Sequence, residues 1–543
     1  MVSTFNGLEV AKRALFTQQS ALYTTSNNIA NANTEGYTRQ RVNFEQTGAF
    51  PPASRNRPQI PGQVGSGVQA GSIERVRDQF LDVQYRGENS KLGYFDSRAD
   101  ALKQMEGIMN EPSDQGLSKT LDQFWQSLQD VSVNPEDAGA RSVVTQRGIA
   151  VAETFNYLSD SLQGVKTDLQ NELNISATET NSLINQINNV NQQIGTIEPN
   201  GYLPNDLYDE RDRLIDQLST LVDIKVTYTK SDGQANPIAI GKASIELINA
   251  NGQPTGLKLV DVKNDEPDVI NEMYINFDSN NNMESMILYN PNDLAAINTD
   301  PDNPKTPEDI DPSLVKTIPG SEITNVANFS NGKMKALVEM NGYVEGTEVK
   351  GVFNDMLSDL DKLAYEFVEA FNLQHSKGAD LAGNTGVDSN QASTVNDFFN
   401  QLSGESGAAG RISVNEAIIN DSDLIAASSN GDSGDGLNAK NLAGVMRESL
   451  TGLGNNTSIK SYYASMVGEM GVDAQESLRM VNNATVLRQQ VEENRQSVSA
   501  VSLDEEMTNL IKFQQAYNAA ARSMTTVDEM LDRIINNMGL VGR

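Results

Sequence analysis

The chain holds no Cys and a single His, His375, so disulfides, thiolate metal sites, cysteine nucleophiles and imidazole clusters are all excluded. One imidazole would suffice for a Ser-His-Asp relay. His375, however, follows the apolar stripe of a helix predicted over 352–374 and precedes Lys377 and Gly378. That pattern predicts a helix C-terminus where a basic side chain meets exposed carbonyls. The 73 Asp and Glu residues could supply paired acids for glycan hydrolysis, but in so acidic a chain a carboxylate pair carries little information. No residue is assigned a catalytic role.

Two further motifs invite a ligand. Gly65-Ser-Gly67-Val-Gln-Ala70 matches a dinucleotide fingerprint in writing, where small residues let a pyrophosphate approach a helix N-terminus. It follows the Pro-rich run Pro51 to Pro61 instead of a buried strand, so a flexible loop is expected. A Gly-x-x-x-x-Gly-Lys-Ser/Thr phosphate loop is missing. Asp278, Asn280 and Asn282 have the opening spacing of a calcium loop, but Met283 stands where the sharp turn needs Gly and Tyr289 where the site needs Glu. An EF-hand is excluded, with looser cation binding left open. No cofactor, no cofactor-binding residue and no metal ligand is expected.

The strong signals are periodic. Leu8, Leu15, Leu22 and Ile29 recur every seven residues, with Ala11, Gln18 and Thr25 between them. At the other end, Leu503, Leu510, Tyr517, Met524, Leu531 and Met538 keep the same spacing, and Phe513, Ala520, Val527 and Ile534 fill the positions three further on. A helix there would be on the order of 50 Å long. A rod of that kind cannot bury its stripe against itself. Further helices are predicted from Phe155 to Ile197, across a polar interruption at Ser176 and Thr180, and over 205–222, 352–374 and 472–498. Trp125, in Leu121-Asp-Gln-Phe-Trp-Gln-Ser-Leu128, is expected to pack. From about 224 to 330 the pattern changes to short strands, Ile224 to Tyr228, Ala243 to Ile248, Leu257 to Val260 and Met286 to Tyr289, separated by turn residues. Residues 376–440 are rich in Gly, Ser, Asn and Asp, with a short helix predicted near 394–402.

Charge follows the same division. The formal net charge is −32; residues 261–312 carry −11 of it and residues 1–60 are at +3. An acidic surface repels phosphate backbones and anionic lipid, so neither nucleic acid nor membrane is an expected partner. The first twenty residues lack the continuous apolar stretch of a cleaved export signal, and no run of about 18 apolar residues occurs. The expected fold class is α+β and multidomain: long terminal helices forming a coiled-coil-like core, a helical-bundle second domain and a β-rich outer insertion. The expected units are 1–60 with 500–543 (terminal assembly), 61–228 with 333–376 and 440–499 (helical rod), 229–332 (acidic β-rich outer domain) and 377–439 (a loop-rich segment or small outer insertion).

The two ends also resemble a known family. Ser26-Asn-Asn-Ile-Ala-Asn-Ala-Asn-Thr-Glu-Gly-Tyr-Thr-Arg-Gln40 is similar to the N-terminal motif of bacterial flagellar axial proteins, in the residues Asn28, Ala30, Asn31, Asn33, Thr34, Gly36, Tyr37 and Arg39. Val501 to Arg522 resembles the C-terminal helix that these proteins share. Gly36-Tyr-Thr-Arg-Gln40, Leu207 to Leu218, Glu369 to His375 and Gly436 to Ala443 are similar to the hook-associated protein 1 family of the hook–filament junction, and the resemblance weakens over about 229–332.

The resemblance implies a structural, non-enzymatic subunit outside the cell, exported through the flagellar type III apparatus without a cleaved signal. It implies as partners further copies of itself in a ring or tube, the hook protein, a second junction protein, the filament protein, and a cytoplasmic chaperone at the C-terminal region. Self-assembly is expected through Leu8, Leu15, Leu22, Ile29, Leu503, Leu510, Phe513, Tyr517, Met524, Val527, Leu531 and Ile534. Each buried apolar side chain contributes roughly 1.5–3 kcal/mol, against backbone ordering at about 1–2 kcal/mol per residue, so both ridges are expected to stay unpaired until neighbouring subunits cover them. A hook or distal-rod protein is the alternative; a secreted acidic glycan hydrolase and a coiled-coil adhesin are more distant ones.

Overall fold

The computed structural model describes residues 5–50, 62–109, 111, 113, 116–263, 267–298, 300, 303–325, 329–385, 397–454 and 457–537. The chain opens with helix α1 (Phe5–Ala30) and a two-stranded antiparallel hairpin, β1 (Gln40–Gln46) and β2 (Val68–Arg75). Helices α2 (Gln79–Met109), α3 (Leu117–Val133), α4 (Ala138–Ile197) and α5 (Asn205–Leu221) follow. Two sheets come next. Strands β3 (Ile224–Thr229), β4 (Lys242–Ile248), β5 (Pro254–Asp261) and β6 (Val269–Ile270) form an antiparallel meander. Strands β7 (Glu272–Phe277), β8 (Met283–Tyr289), β9 (Lys316–Pro319), β10 (Tyr343–Glu345) and β11 (Glu348–Lys350) form the second sheet, with short helices α6 (Pro291–Ile297), α7 (Gly320–Thr324) and α8 (Lys333–Asn341) between its strands. The chain returns through α9 (Val352–His375), α10 (Glu416–Asn420) and α11 (Leu437–Val445) to two long helices, α12 (Ile459–Ser499) and α13 (Leu503–Asn537).

The spine is α4, whose 60 residues span about 90 Å. Asp137 starts it by accepting the Gly139 N–H. The polar interruption foreseen at Ser176 and Thr180 does not break the helix; both side chains are buried, and Thr180 Oγ1 finds its acceptor within the helix, donating to the Ser176 carbonyl at 2.8 Å. Around α4 a continuous core runs from Ala101 to Ala474, and six phenylalanines fill its centre: Phe124, Phe155, Phe367, Phe371, Phe398 and Phe399. No residue of α1, α13 or the β1–β2 hairpin belongs to that core. Trp125 packs as expected, with the Arg447 guanidinium 4.3 Å from its ring centre.

Strands are fastened to helices by side-chain amides that imitate a neighbouring strand. Asn181 of α4 donates to the Met273 carbonyl at 2.8 Å and accepts the Met273 N–H at 2.7 Å. Asn191 treats Ala243 of β4 in the same way, and Asn372 of α9 does so for Phe399. Each pair satisfies a peptide N–H and carbonyl that would otherwise be buried without partners.

Several expectations need correction. Helices α2 and α3 and the β1–β2 hairpin had no forecast, α4 begins 17 residues before Phe155, and α12 begins 13 residues before 472. Residues 397–402 are irregular where a helix was expected; 394–396 lie outside the described residues, as does Met538. Pro51 to Pro61 lie outside them too, and Gly65 to Gly67 lead into a strand instead of opening a helix, which removes the dinucleotide reading. His375 is not a charged cap. It is fully buried, and its Nε2 accepts the Ala426 N–H at 3.0 Å, so that nitrogen carries no proton. Among the described residues, no group of His, Asp or Glu is placed to hold a metal, and no helix is long and apolar enough to cross a membrane.

Gly93 shows how tightly α2 lies on α5: a Cβ there would sit 2.2 Å from the Thr220 carbonyl oxygen. Gly93→Ala is expected to destabilise the protein by about 1–3 kcal/mol. Gly87→Ala, on the same helix with nothing near its Cβ, should be neutral or stabilising by up to about 1 kcal/mol. Denaturant midpoints of the two variants check this, and equal midpoints would contradict the close approach.

Candidate assembly arm and its joint to the rod

Helices α1 and α13 form an antiparallel pair standing apart from the core: Gly7 of α1 lies beside Val527, and Asn28 at its other end meets Glu506. The residues expected to form assembly seams divide on this pairing. Leu8, Leu15, Leu22 and Ile29 on α1 are half-buried, as are Leu510, Phe513, Tyr517, Met524, Val527 and Leu531 on α13. Leu503 and Ile534 are exposed. The expectation that both ridges stay unpaired in a single chain is therefore corrected: each covers part of the other. Complete covering fails because two cylinders touch along one line, leaving the flanks of each stripe in water.

The fully buried side chains of α1 are small or polar: Ala11, Thr17, Ala21, Thr24, Thr25 and Asn28. They let α1 approach the hairpin, where Thr17 Oγ1 contacts the Val68 carbonyl at 3.2 Å. Phe44 of β1 packs edge-on against Phe513, so the hairpin braces α13 as well.

What remains outside is a second apolar surface. On α1, Phe5, Phe16 and Tyr23 are exposed, and spacings of eleven and seven residues put them on one line along the helix. At the base of α13, Leu503, Met507 and Ile511 are exposed at four-residue spacing. At its tip, Met530, Ile534 and Ile535 are exposed where α13 runs past Phe5. Apart from Leu503 and Ile534, heptad reading selected the seam that faces α1, and it passed over Met507, Ile511, Met530 and Ile535. Their exposure depends on where α1 lies.

The family motif is not on that surface. It forms the joint. Asn28 uses its full hydrogen-bonding capacity: Nδ2 donates to the Gln40 carbonyl at 2.8 Å and to Glu506 Oε2 at 3.0 Å, while Oδ1 accepts from Gln40 N at 3.0 Å and from the Tyr37 hydroxyl at 2.8 Å. Asn31 braces the turn through the Asn27 carbonyl and accepts from Thr34 Oγ1. Gly36, at φ +80°, lies against the Arg213 side chain of α5. Ala30 closes α1, and Asn33 is exposed. Arg39 binds Glu506 at 2.9 Å and Glu505 at 2.7 Å, and its backbone N–H donates to the Ser499 carbonyl at 2.9 Å.

Below this turn lies an ionic hub. The Thr38 N–H donates to Asp209 Oδ2 at 3.1 Å. Arg75 pairs with Asp209 at 2.7 Å and Asp212 at 3.0 Å, Arg77 with Asp82 at 2.8 Å, and Arg86 and Arg495 with Asp216. Burial alone would raise Asp212, but Arg77, Arg75, Arg86 and Arg211 outweigh it and hold that carboxyl well below the usual range. Asp209, facing Arg75 alone among these, is raised, because burial prevails over that single guanidinium. The hub joins the hairpin, α2, α5 and α12, so it closes only when segments more than 400 residues apart have met. Sequence reasoning missed it, although Asp209, Asp212 and Asp216 at three- and four-residue spacing on one helix face were a readable signal.

Three family descriptions match this chain: "Flagellar hook-associated protein FlgK helical domain" over residues 102–389, "Flagellar basal body rod FlgEFG protein C-terminal" over 493–538 and "Flagella basal body rod protein" over 8–38. Flagellar hook-associated protein 1 of Bacillus subtilis (strain 168) is 46% identical over 551 residues, covering 100% of both chains. The chain belongs to the flagellar hook-associated protein 1 family. The protein of the same name from Salmonella typhimurium is 24% identical, covering 97% of this chain and 98% of its own. The solved structure of the flagellar hook junction protein FlgK from Burkholderia pseudomallei shares the fold, with a TM-score of 0.56 at 14% identity, over 77% of this chain and 100% of that one. A hook-associated protein 1 is a structural axial component of the flagellum, and the arm is the part matched by the rod-protein descriptions.

The joint makes a prediction. Asn28→Ala removes two donated and two accepted hydrogen bonds and should weaken the base of the arm by about 1–3 kcal/mol. Hydrogen exchange should accelerate about ten-fold or more in α1 and the first turns of α13 while α4 is unchanged. Native exchange rates in the arm would contradict the joint's role.

Proposed function

We propose that the protein works as the adaptor between hook and filament, extracellular on the flagellum, with its arms packed side by side to form the inner wall of a ring or tube. The observation carrying this reading is the arm itself: two long helices outside the core, already paired, still presenting Leu503, Met507 and Ile511 and the line Phe5, Phe16 and Tyr23 to solvent. Such a surface gains by meeting another copy or an axial neighbour. The half-buried seam, Leu8 to Ile29 and Leu510 to Leu531, then holds the arm together, while the exposed residues, Leu503 and Ile534 included, make the contacts between subunits.

In this reading 1–60 with 500–543 act as the assembly unit, 61–228 with 333–376 and 440–499 as the rod, and 229–332 and 377–439 as the outer parts. The acidic outer domain favours solubility and keeps tubes from aggregating laterally. Hook, filament and second junction proteins are the proposed neighbours, and export runs through the flagellar type III route with a chaperone at the C-terminal region. A chain without Cys suits passage in an unfolded state, having no thiol to misoxidise.

The second reading, a hook or distal-rod protein, is favoured by the matches of 8–38 and 493–538 to rod-protein descriptions. Those matches are confined to the arm and the joint at its base, whereas the likeness to hook-associated protein 1 spans the whole chain.

Two double variants test the assignment. Met507→Asp with Ile511→Asp should retain native helix content and still fail to attach filaments. Leu510→Asp with Leu531→Asp should fail as well, but with loss of helix content in the arm, read by circular dichroism. Electron microscopy of labelled protein should find it only where hook meets filament. Normal filaments on the first variant would refute the exposed surface as the contact, and label along the whole hook would refute the junction.

A further inference from the structure

The β7–β8 loop contains Asp278, Asn280 and Asn282, whose oxygens suggested an opening for calcium. Here the chain supplies the positive charge itself. Lys166, near the middle of α4 and 7% exposed, brings Nζ to the Asn280 carbonyl at 3.0 Å, to Asn282 Oδ1, and to Asn354 Oδ1 of α9 at 2.7 Å. An ammonium has three N–H donors and no acceptor, and all three are used on neutral oxygens. Asp278 shapes the loop instead of binding the ammonium: its Oδ1 accepts the Asn280 and Asn282 N–H groups at 2.8 Å each, and its Oδ2 accepts Asn282 Nδ2 at 2.8 Å.

The loop is tied from other sides as well. Asn281 has φ +62°, the one positive value outside glycine among the described residues, and its carbonyl accepts Asn341 Nδ2 at 2.8 Å. Asn354 Nδ2 closes the ring by donating to the Asn341 carbonyl at 3.2 Å. Burial pushes the Lys166 ammonium below the ordinary lysine value, with Asp278 pulling it back up. The ammonium thus relies on the three oxygens to replace its water.

We propose that these groups form a built site for a primary ammonium, permanently filled by Lys166, and that this tethered cation fastens the second sheet to the α4–α9 face of the rod. Calcium takes six to eight oxygen ligands, more than converge here, whereas a primary ammonium matches three. With the lysine shortened, the site would accept a small alkylammonium ion. The inference concerns how the outer sheet is held and does not depend on where the protein sits in the flagellum.

The test uses the full-length chain. Lys166→Ala should accelerate hydrogen exchange in β7 and β8 about ten-fold or more, and methylammonium chloride at tens of millimolar should largely restore it. Tetramethylammonium chloride, which has no N–H, should not. Lys166→Met should be equally loosened and beyond rescue, since its side chain fills the cavity. Unchanged exchange in the alanine variant, or equal recovery with both salts, overturns the proposal. Should that variant not fold, Asn354→Leu, which removes one of the three acceptors, must still loosen β7 and β8 detectably; native exchange there overturns it too.

Discussion

The arm stands on the rod because one side-chain amide is fully committed. Asn28 joins the end of α1, the start of β1, the motif turn at Tyr37 and, through Glu506, the base of α13. A buried amide with four hydrogen-bonding valences loses by leaving any of them empty, so the geometry of all four partners is set together. Arg39 then pulls Glu505 and Glu506 onto the same turn, and the Thr38 N–H hands the connection to Asp209 and the ionic hub. Two helices outside the core thereby acquire a defined direction.

Polar fastening recurs wherever elements distant in sequence meet. Asn181 and Asn191 hold strand peptides against α4, Asn372 holds the Phe399 peptide against α9, Lys166 holds a loop, and buried Arg–Asp pairs hold both the hairpin and α12 to α5. Buried ion pairs contribute little net stability against desolvation, but they reject misaligned arrangements, since a single displaced partner leaves an uncompensated charge. Apolar burial runs along α4 and supplies the cohesion, and polar contacts decide where the arm and the second sheet attach. When the distant segments are separated, these contacts leave water-soluble faces instead of sticky ones.

The apolar surface follows the same division of labour. The core is closed without the arm, and the arm closes half of itself. The line of Phe5, Phe16 and Tyr23 and the exposed flank of α13 remain for neighbours. The negative charge is concentrated in the middle of the chain, where residues 261–312 carry −11, while the arm presents an apolar surface.

Several features were legible in the residues alone. The seven-residue spacing specified two long terminal helices, the alternation after Ile224 specified strands, and the absence of Cys with one His removed whole classes of chemistry, because each depends on local spacing or on composition. The two end motifs pointed to the family for the same reason: they are contiguous. Folding in three dimensions decided the rest. Which flank of α13 faces α1 depends on a partner about 500 residues away, so Met507 and Ile511 could not be told from ordinary exposed positions. The partners of Asn28, Asp209 and Lys166 come from remote segments, and a polar side chain's role is set by what reaches it. His375 shows the limit plainly: its position predicted a charged helix end, and only the packing of Ala426 and Phe398 against it made it a buried, neutral acceptor.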